Sequence, residues 1–130
     1  MKKVDRSEYI NYKLEEAHKT WDAARLLAEN EFWNSAVNRL YYSAFYAVSA
    51  LLTQNDINSK THSSSRNMFS LHFVKTGIFD KKYAKLLAKL FAWRQKSDYD
   101  NFVDYDKESV EPLFALVKEM VNEIESYLKE

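Results

Sequence analysis

The sequence predicts an all-α protein, an up-and-down bundle of about five helices, and three observations support this prediction. The 130 residues include only one glycine and one proline, which leaves little of the turn chemistry that a many-stranded protein needs. Apolar residues recur three and four positions apart over long segments, the spacing that places one stripe on one helical face. No repeat, linker or low-complexity tract interrupts the chain. We therefore expect residues 1–130 to form one helical domain.

The first two predicted helices are joined by a very short connection. Helix one is predicted from about Ser7 to Glu29, with an apolar stripe formed by Ile10, Leu14, Ala17, Trp21, Ala24 and Ala28. Asn30 is expected to end it, because asparagine tolerates the left-handed conformation. Helix two is predicted from about Phe32 to Thr53 and carries two adjacent apolar stripes. A helix that is apolar over so much of its circumference should lie at the centre of the bundle.

The third predicted helix follows the longest polar stretch of the chain. Residues 54–61 are expected to form a loop, after which Ser63 is expected to cap a shorter helix from about Ser64 to Thr76. Gly77 is the only glycine and stands where this helix should end.

Two aspartates are predicted to cap the last two helices. Asp80 is expected to cap helix four, which continues to about Asp98, and the acidic and aromatic residues 99–106 should form a loop. Asp106 is expected to cap helix five, which runs to the C-terminus. Pro112 falls in the first two turns of that helix and is expected to delay its regular start.

Composition excludes several classes of function. Lys and Arg together number 19 and Asp and Glu also number 19, so no global positive field draws the protein to nucleic acid or to an anionic membrane. The absence of cysteine excludes disulfides, thiolate metal sites and a cysteine nucleophile. No signal peptide or membrane-spanning window is recognisable. We expect a cytoplasmic protein without membrane contact, whose nucleic-acid partners would be met by a local patch.

Arg94 is the most informative position in the sequence. It continues the apolar stripe of helix four after Tyr83, Leu87 and Leu90, so it should face inward, where a guanidinium needs partners. Asp98 follows four residues later, although this order of charges near a helix C-terminus adds little local stability. The pair is either an internal ion pair between helix four and the following loop, or a phosphate-binding arginine oriented by Asp98.

A neighbouring face of helix four is basic and contains one aromatic residue. Its members are Lys82, Lys85, Lys89, Trp93 and Lys96. Such a face can follow an RNA backbone while the indole stacks on a base. A solvated lysine face, with Trp93 in a subunit contact, is the more common explanation of such a pattern, because helices often carry exposed charge.

The histidines and the acidic loop provide the remaining candidates for chemistry. His62 precedes helix three and either acts as a general base or supports the start of that helix. We expect His18 on the surface and His72 packed or exposed without a catalytic role. The loop acids Asp98, Asp100, Asp104 and Asp106 are not arranged as a calcium loop, because the central glycine and terminal glutamate are missing. We expect no metal and no cofactor.

Three segments together resemble the small stand-alone prokaryotic HEPN proteins, and the resemblance covers nearly the whole chain. Residues 39–45 read RLYYSAF on helix two, residues 60–63 read KTHS before helix three, and residues 94–99 read RQKSDY at the end of helix four. The order and spacing of the YYxAF and RxxxDY elements are moderately specific. The resemblance implies a dimeric helical bundle, often encoded beside a minimal nucleotidyltransferase.

Active members of that family are metal-independent RNases used as toxins, with two subunit sites meeting at the dimer interface. Their signature is an arginine, a polar residue and then a histidine four to six residues further along. Arg94 and Gln95 match its first half. The positions for the histidine hold Tyr99, Asp100 and Asn101 instead, so the usual group for proton transfer is missing from this segment.

Three functions follow from these observations. The leading hypothesis is a homodimer that binds RNA or nucleotide at a cleft around Arg94, as a toxin or accessory subunit that works with a nucleotidyltransferase; the binding residues would be Arg94, Gln95, Lys96, Trp93 and Lys89. The second is an active RNase that uses Arg94 and Asp98, with His62 or Tyr99 as the base. The third is a protein-interaction module without nucleic-acid binding, with Tyr42, Tyr46 and Trp93 in the contact surface.

Overall fold

Five α-helices make up most of the structure, a computed structural model that describes residues 3–100 and 102–130. The helices are α1 (Lys3–Glu29), α2 (Trp33–Gln54), α3 (His62–Phe69), α4 (Lys81–Tyr99) and α5 (Lys107–Leu128), and a π-helical turn (Ser70–Val74) continues α3. No strand occurs in the described ranges, and no helix within them is long and apolar enough to cross a membrane. The predicted all-α fold is confirmed.

Helix α2 lies at the centre, as its two apolar stripes predict. It contacts each of the other four helices, and its fully buried side chains include Val37, Leu40, Tyr41, Val48 and Leu51. Helix α1 meets α2 through small residues, since Ala17, Ala24 and Ala28 are all buried. Alanines at such an interface let two helix backbones approach closely, which accounts for the long contact between α1 and α2.

The turn after α1 differs from the prediction. Asn30 is not the left-handed residue; Glu31 is, with a φ of 64°. The amide of Phe32 donates to the carbonyl of Leu27 over 2.9 Å and the amide of Glu31 to that of Ala28 over 3.0 Å, the two bonds of a Schellman motif. The Asn30 side chain donates instead to the carbonyl of Leu26. Helix α1 also begins at Lys3, earlier than the predicted Ser7.

The start of α3 is also corrected. Thr61, not Ser63, is the capping residue, because the Thr61 hydroxyl accepts a hydrogen bond from the amide of Ser64 over 2.9 Å. Thr61 has the extended conformation of a cap, with φ −132° and ψ 160°, and His62 is already helical. The α-helix ends at Phe69 and the π-helical turn at Val74, before the left-handed Gly77, whose φ is 83°.

The aspartate caps of α4 and α5 are confirmed. An Asp80 oxygen accepts from the amide of Lys82 over 2.8 Å, and an Asp106 oxygen accepts from the amide of Ser109 over 2.9 Å. The expected delay at Pro112 is wrong, since α5 is regular from Lys107. Proline removes only the bond to the carbonyl four residues earlier, and that residue, Glu108, is exposed, so water can satisfy its carbonyl.

Candidate functional site around Arg94

Arg94 faces inward from α4, as its position on the apolar stripe predicts. Its side chain is 15% exposed, and the nearest Asp98 oxygen lies 3.8 Å from Nη1. The same Nη1 donates to the hydroxyl of Tyr42 over 3.2 Å. The Nε atom is buried and has no hydrogen-bond partner in the part of the chain that the structure describes. Arg94 therefore retains unused hydrogen-bonding capacity at a site where an unpaired donor is unfavourable.

Aromatic rings surround the Arg94 guanidinium. Its central carbon lies 5.0 Å from the ring centroid of Tyr41, 5.5 Å from that of Tyr42 and 5.5 Å from that of Phe91. These distances are within the range of cation–π attraction. The rings hold the positive charge in place without neutralising it, so the charge remains available to an anion.

His62 belongs to the same cluster, although it comes from a different helix. Its Nδ1 lies 2.5 Å from the hydroxyl of Tyr41, and its ring stacks on Phe45 with centroids 4.2 Å apart. Burial lowers the pKa of His62 below its usual 6.5, and the positive charges of Arg94 and Arg66 lower it further. The imidazole is thus neutral at neutral pH and has one nitrogen lone pair.

Tyr41 is fully buried and provides the partner of His62. Burial raises the pKa of Tyr41 to about 12, although the nearby Arg94 and Arg66 oppose the shift. The phenol therefore stays protonated and can donate its hydroxyl hydrogen to Nδ1 of His62. In that arrangement the second ring nitrogen of His62, Nε2, carries the proton.

Arg66 was not singled out by the sequence analysis, and it belongs to this site. It follows His62 by one helical turn, and that spacing on a short polar helix is the signal that could have identified it. Its guanidinium carbon lies 4.0 Å from the ring centroid of Phe91, and its Nε is buried without a partner within residues 3–100 and 102–130. Arg39 of α2 adds a third guanidinium, 5.1 Å from the centroid of Tyr42.

Three helices therefore bring together one group of side chains, here called the arginine–aromatic cluster. Its polar members are Arg39, Arg66, Arg94 and His62, and its rings are Tyr41, Tyr42, Phe45 and Phe91. A groove of about 430 Å³ adjoins it, lined by Arg39 and Asp98 and by Asn34 and Asn38 of α2. Basic, aromatic and neutral imidazole groups in one place suit the binding of a phosphate-containing ligand.

Two predicted binding residues of α4 lie outside the cluster. The indole of Trp93 stacks on Tyr105, with centroids 4.6 Å apart and planes 12° apart, and the Tyr105 hydroxyl donates to the Trp93 carbonyl. The Lys89 ammonium lies 4.7 Å from the indole centroid. Trp93 thus anchors the loop after α4 to the bundle, and one face of its ring is already occupied.

The other predicted site residues of α4 point to solvent. Gln95 and Lys96 are exposed, and Tyr99 is 84% exposed. None of the three is in the hydrogen bonds or ring contacts that hold the arginine–aromatic cluster together. The structure therefore places His62, and not Tyr99, beside Arg94.

The other histidines have separate positions. The expectation that His18 lies on the surface is wrong, because it is half-buried between α1 and α5, with Nε2 3.2 Å from Glu125 and Nδ1 3.3 Å from the Lys118 ammonium. His72 lies exposed in the π-helical turn. In the loop, Asp106 is engaged as a cap and Asp100 accepts a bond from the amide of Phe102. Within the described part of the chain, His, Asp and Glu nowhere form a group of three or more that could hold a metal ion.

The sequence is similar to a known protein family and to several individual proteins. The family model described as "HEPN domain" matches residues 10–127. The "UPF0332 protein" of Thermotoga maritima is 33% identical over 126 residues, which cover 97% of this chain and 96% of that protein. Two proteins of Methanocaldococcus jannaschii are also similar. "Putative toxin MJ0142" is 36% identical over 88% of this chain and 78% of its own length, and "Putative toxin MJ0605" is 33% identical over 97% and 93%.

Proposed function

The chain belongs to the HEPN domain family, and on this premise we propose that it is a toxin or accessory subunit that binds RNA or a nucleotide at the arginine–aromatic cluster. The observation that carries the proposal is the state of Arg94. Its guanidinium is held by three rings. Among the described residues its Nε has no partner, and the carboxylate of Asp98 stands 3.8 Å away. A phosphate oxygen can provide the close, charge-assisted partner that Asp98 does not.

Two partly exposed tyrosines, one in the cluster and one next to it, support a single-stranded ligand. The rings of Tyr42 and Tyr46 lie 5.9 Å apart along α2, and the Lys13 ammonium of α1 lies 4.9 Å from the centroid of Tyr46. Neighbouring aromatic rings flanked by cations are the usual platform for unpaired bases. This face of α1 and α2 is a better candidate for the RNA track than the Lys89 and Trp93 face of α4, where Tyr105 covers the indole.

The role as a toxin and the choice of partner are supported by similarity. Two of the similar proteins carry the name of a toxin, and the motifs around Tyr41, Tyr42 and Arg94 resemble HEPN proteins that work beside nucleotidyltransferases. We extend the proposal to a homodimer with a nucleotidyltransferase partner. Light scattering of the purified protein tests the dimer, and a monomer at micromolar concentration contradicts it. Copurification with the product of a neighbouring nucleotidyltransferase gene tests the partner.

The binding proposal is tested with Arg94→Gln and a matched control. Arg25→Gln is the control, because Arg25 also packs on a ring, 4.2 Å from the centroid of Phe114, but pairs with Glu111 between α1 and α5 and is not part of the cluster. Fluorescence anisotropy with a short single-stranded RNA at low salt measures affinity. We expect Arg94→Gln to weaken binding about tenfold or more, as for a lost charge-assisted hydrogen bond.

Stability separates a binding role from a structural one. Both arginine variants should unfold at lower urea concentration than the wild type, because each loses a packed guanidinium. Only Arg94→Gln should lose RNA affinity. If the two variants bind RNA as the wild type does, Arg94 is structural and the binding site is elsewhere or absent.

A metal-independent RNase is the second candidate function, and the position of His62 favours it. The neutral imidazole shares the ring of Tyr41 with the Arg94 guanidinium: the His62 and Tyr41 centroids are 5.6 Å apart. A neutral imidazole can accept the proton of an RNA 2′-hydroxyl as the 2′-oxygen bonds to phosphorus, while an arginine stabilises the charge on the phosphorane. The bond between phosphorus and the 5′-oxygen then breaks, and the 5′-oxygen takes a proton from water. For the first of these steps Nε2 must hold the lone pair, so the proton must move to Nδ1 and the Tyr41 hydroxyl must accept from it.

His62→Asn tests the RNase candidate, with His72→Asn as the control. The asparagine amide keeps a polar atom near the position of Nδ1, so the contact with Tyr41 is preserved while the second ring nitrogen is removed. Cleavage of a single-stranded RNA, and not of the same DNA sequence, should fall at least a hundredfold in His62→Asn and be unchanged in His72→Asn. RNA that stays intact with the wild-type dimer, with and without its partner, eliminates this candidate.

A further inference from the structure

We propose that Arg39, Arg66 and Arg94 form a subsite for a phosphate monoester, the doubly charged terminal phosphate of a nucleotide or of an RNA strand. The proposal deepens the proposed function and depends on it, since it names the part of the ligand that the arginine–aromatic cluster holds. It also assigns a binding role to Arg39 and Arg66.

The arginines of the cluster differ from the other arginines of the chain in their ion pairs. The chain has five arginines, and the two outside the cluster are in close ion pairs, Arg6 with Asp56 and Arg25 with Glu111 at 2.6 Å. Among the described residues, neither Arg39 nor Arg66 forms an ion pair. The ion pair of Arg94 with Asp98 is long, at 3.8 Å. The chain as a whole has no net charge, so the excess of positive charge is local to the cluster.

The three guanidiniums of the cluster share two aromatic rings. Arg39 and Arg94 both lie against Tyr42, 5.1 and 5.5 Å from its centroid. Arg66 and Arg94 both lie against Phe91, 4.0 and 5.5 Å from its centroid. Arg94 is therefore common to both pairs and links the arginine of α2 to the arginine of α3. Like charges held against shared rings repel one another, and a bound anion offsets that repulsion.

The three arginines of the cluster have N–H donors that lack a full set of acceptors. The Nε atoms of Arg66 and Arg94 are buried and have no partner among the described residues, and the Nε and Nη2 of Arg39 both donate to a single oxygen of the neighbouring Asn38, at 3.0 and 2.8 Å. Buried donors in a native protein are normally satisfied. A ligand oxygen can reach the two buried Nε atoms only if the guanidiniums turn on binding, and a ligand with several acceptor oxygens would then satisfy them.

Charge and oxygen count favour a monoester over an internal phosphodiester. Three guanidiniums and the single Asp98 carboxylate leave a local excess of about two positive charges, because His62 is neutral. A phosphate monoester carries roughly −1.5 to −2 at neutral pH and presents three acceptor oxygens, whereas an internal diester carries one charge on two free oxygens. Tyr42, partly exposed beside Arg39 and Arg94, provides a ring on which the attached nucleoside can stack.

The test compares two strands of the same short single-stranded RNA, one with a 5′-phosphate and one with a 5′-hydroxyl, each labelled at the 3′ end. Anisotropy should show the phosphorylated strand bound about tenfold more tightly by the wild type, the value of an added charge-assisted contact. This preference should disappear in Arg66→Gln and in Arg39→Gln and persist in Arg25→Gln. Arg66→Lys keeps a charge near Phe91 and should retain part of it, which covers the case that Arg66→Gln does not fold.

Competition identifies the source of the phosphate. Adenosine monophosphate should displace the RNA if the subsite accepts a free nucleotide, and adenosine is the control. Tighter binding of the 5′-phosphorylated strand and displacement by adenosine monophosphate each support the proposal. Equal affinity for the two strands overturns the subsite and leaves RNA binding at Arg94 standing. If neither strand and no nucleotide binds, the proposed function itself is wrong.

Discussion

The hydroxyl of Tyr41 lies 2.5 Å from Nδ1 of His62. This contact joins the middle of the central helix α2 to the first residue of α3 and fixes the plane of the imidazole, which also stacks on Phe45. Because Tyr41 contacts Arg94 through its ring, one buried side chain holds two candidate functional groups. The position of His62 therefore depends on a residue twenty-one positions earlier in the chain.

Tyr41→Phe removes this hydrogen bond while it keeps the ring. We expect a loss of about 1 kcal/mol in the free energy of unfolding, because a partly buried imidazole nitrogen loses its partner. Urea denaturation measures it. Tyr12→Phe is the control, since Tyr12 is 56% exposed and its hydroxyl should contribute little. Equal effects of the two substitutions would show that the Tyr41 hydrogen bond adds no stability.

The pKa of His62 should lie below 6.5 in the folded protein. Burial disfavours the charged imidazolium, and the nearby Arg94 and Arg66 guanidiniums disfavour it further. An NMR titration of the imidazole protons, assigned with His62→Asn, measures the value. Arg66→Gln should raise it, because one of the two positive charges is lost. A wild-type pKa at or above 6.5 contradicts the described surroundings of His62.

The same pKa predicts how stability depends on pH. Since the folded-state pKa of His62 is lower than the unfolded value, the unfolded chain takes up a proton first as the pH falls, and the unfolded state is favoured. The wild type should lose stability relative to His62→Asn as the pH falls through the unfolded value of about 6.5 and towards the lower folded-state pKa. Thermal unfolding of the two proteins across this range measures the difference. Parallel pH profiles would exclude a contribution from His62.

The cap of α3 offers a further prediction, with a control two residues away. Thr61→Ala should reduce the free energy of unfolding by about 1 kcal/mol, because the amide of Ser64 loses its acceptor. Ser63→Ala should leave stability nearly unchanged, since Ser63 is exposed and is not the cap. Thr61→Ala should also weaken RNA binding, as this cap orients the turn that carries His62 and Arg66. The reverse order of stabilities would restore Ser63 as the cap.

Local features explain which predictions from the sequence are confirmed. Helix periodicity, aspartate caps and the inward position of Arg94 depend on residues within a few positions of one another, so they are recognisable in the sequence. The errors at Asn30, Ser63 and Pro112 lie at helix ends, where adjacent residues can serve as cap or left-handed residue. At Thr61 the choice depends on the extended backbone, which the sequence pattern does not specify.

The composition of the candidate site depended on packing between helices. The sequence by itself determined five helices, a central α2 and an arginine on the inward face of α4, because each of these follows from the spacing of apolar residues along a single segment. Only the tertiary structure decided that His62 and Arg66 of α3 and Arg39 of α2 share aromatic rings with Arg94. It also decided that Trp93 and Tyr99 lie outside this cluster. Contacts between distant segments depend on which helix faces pack together, and that is a property of the whole core.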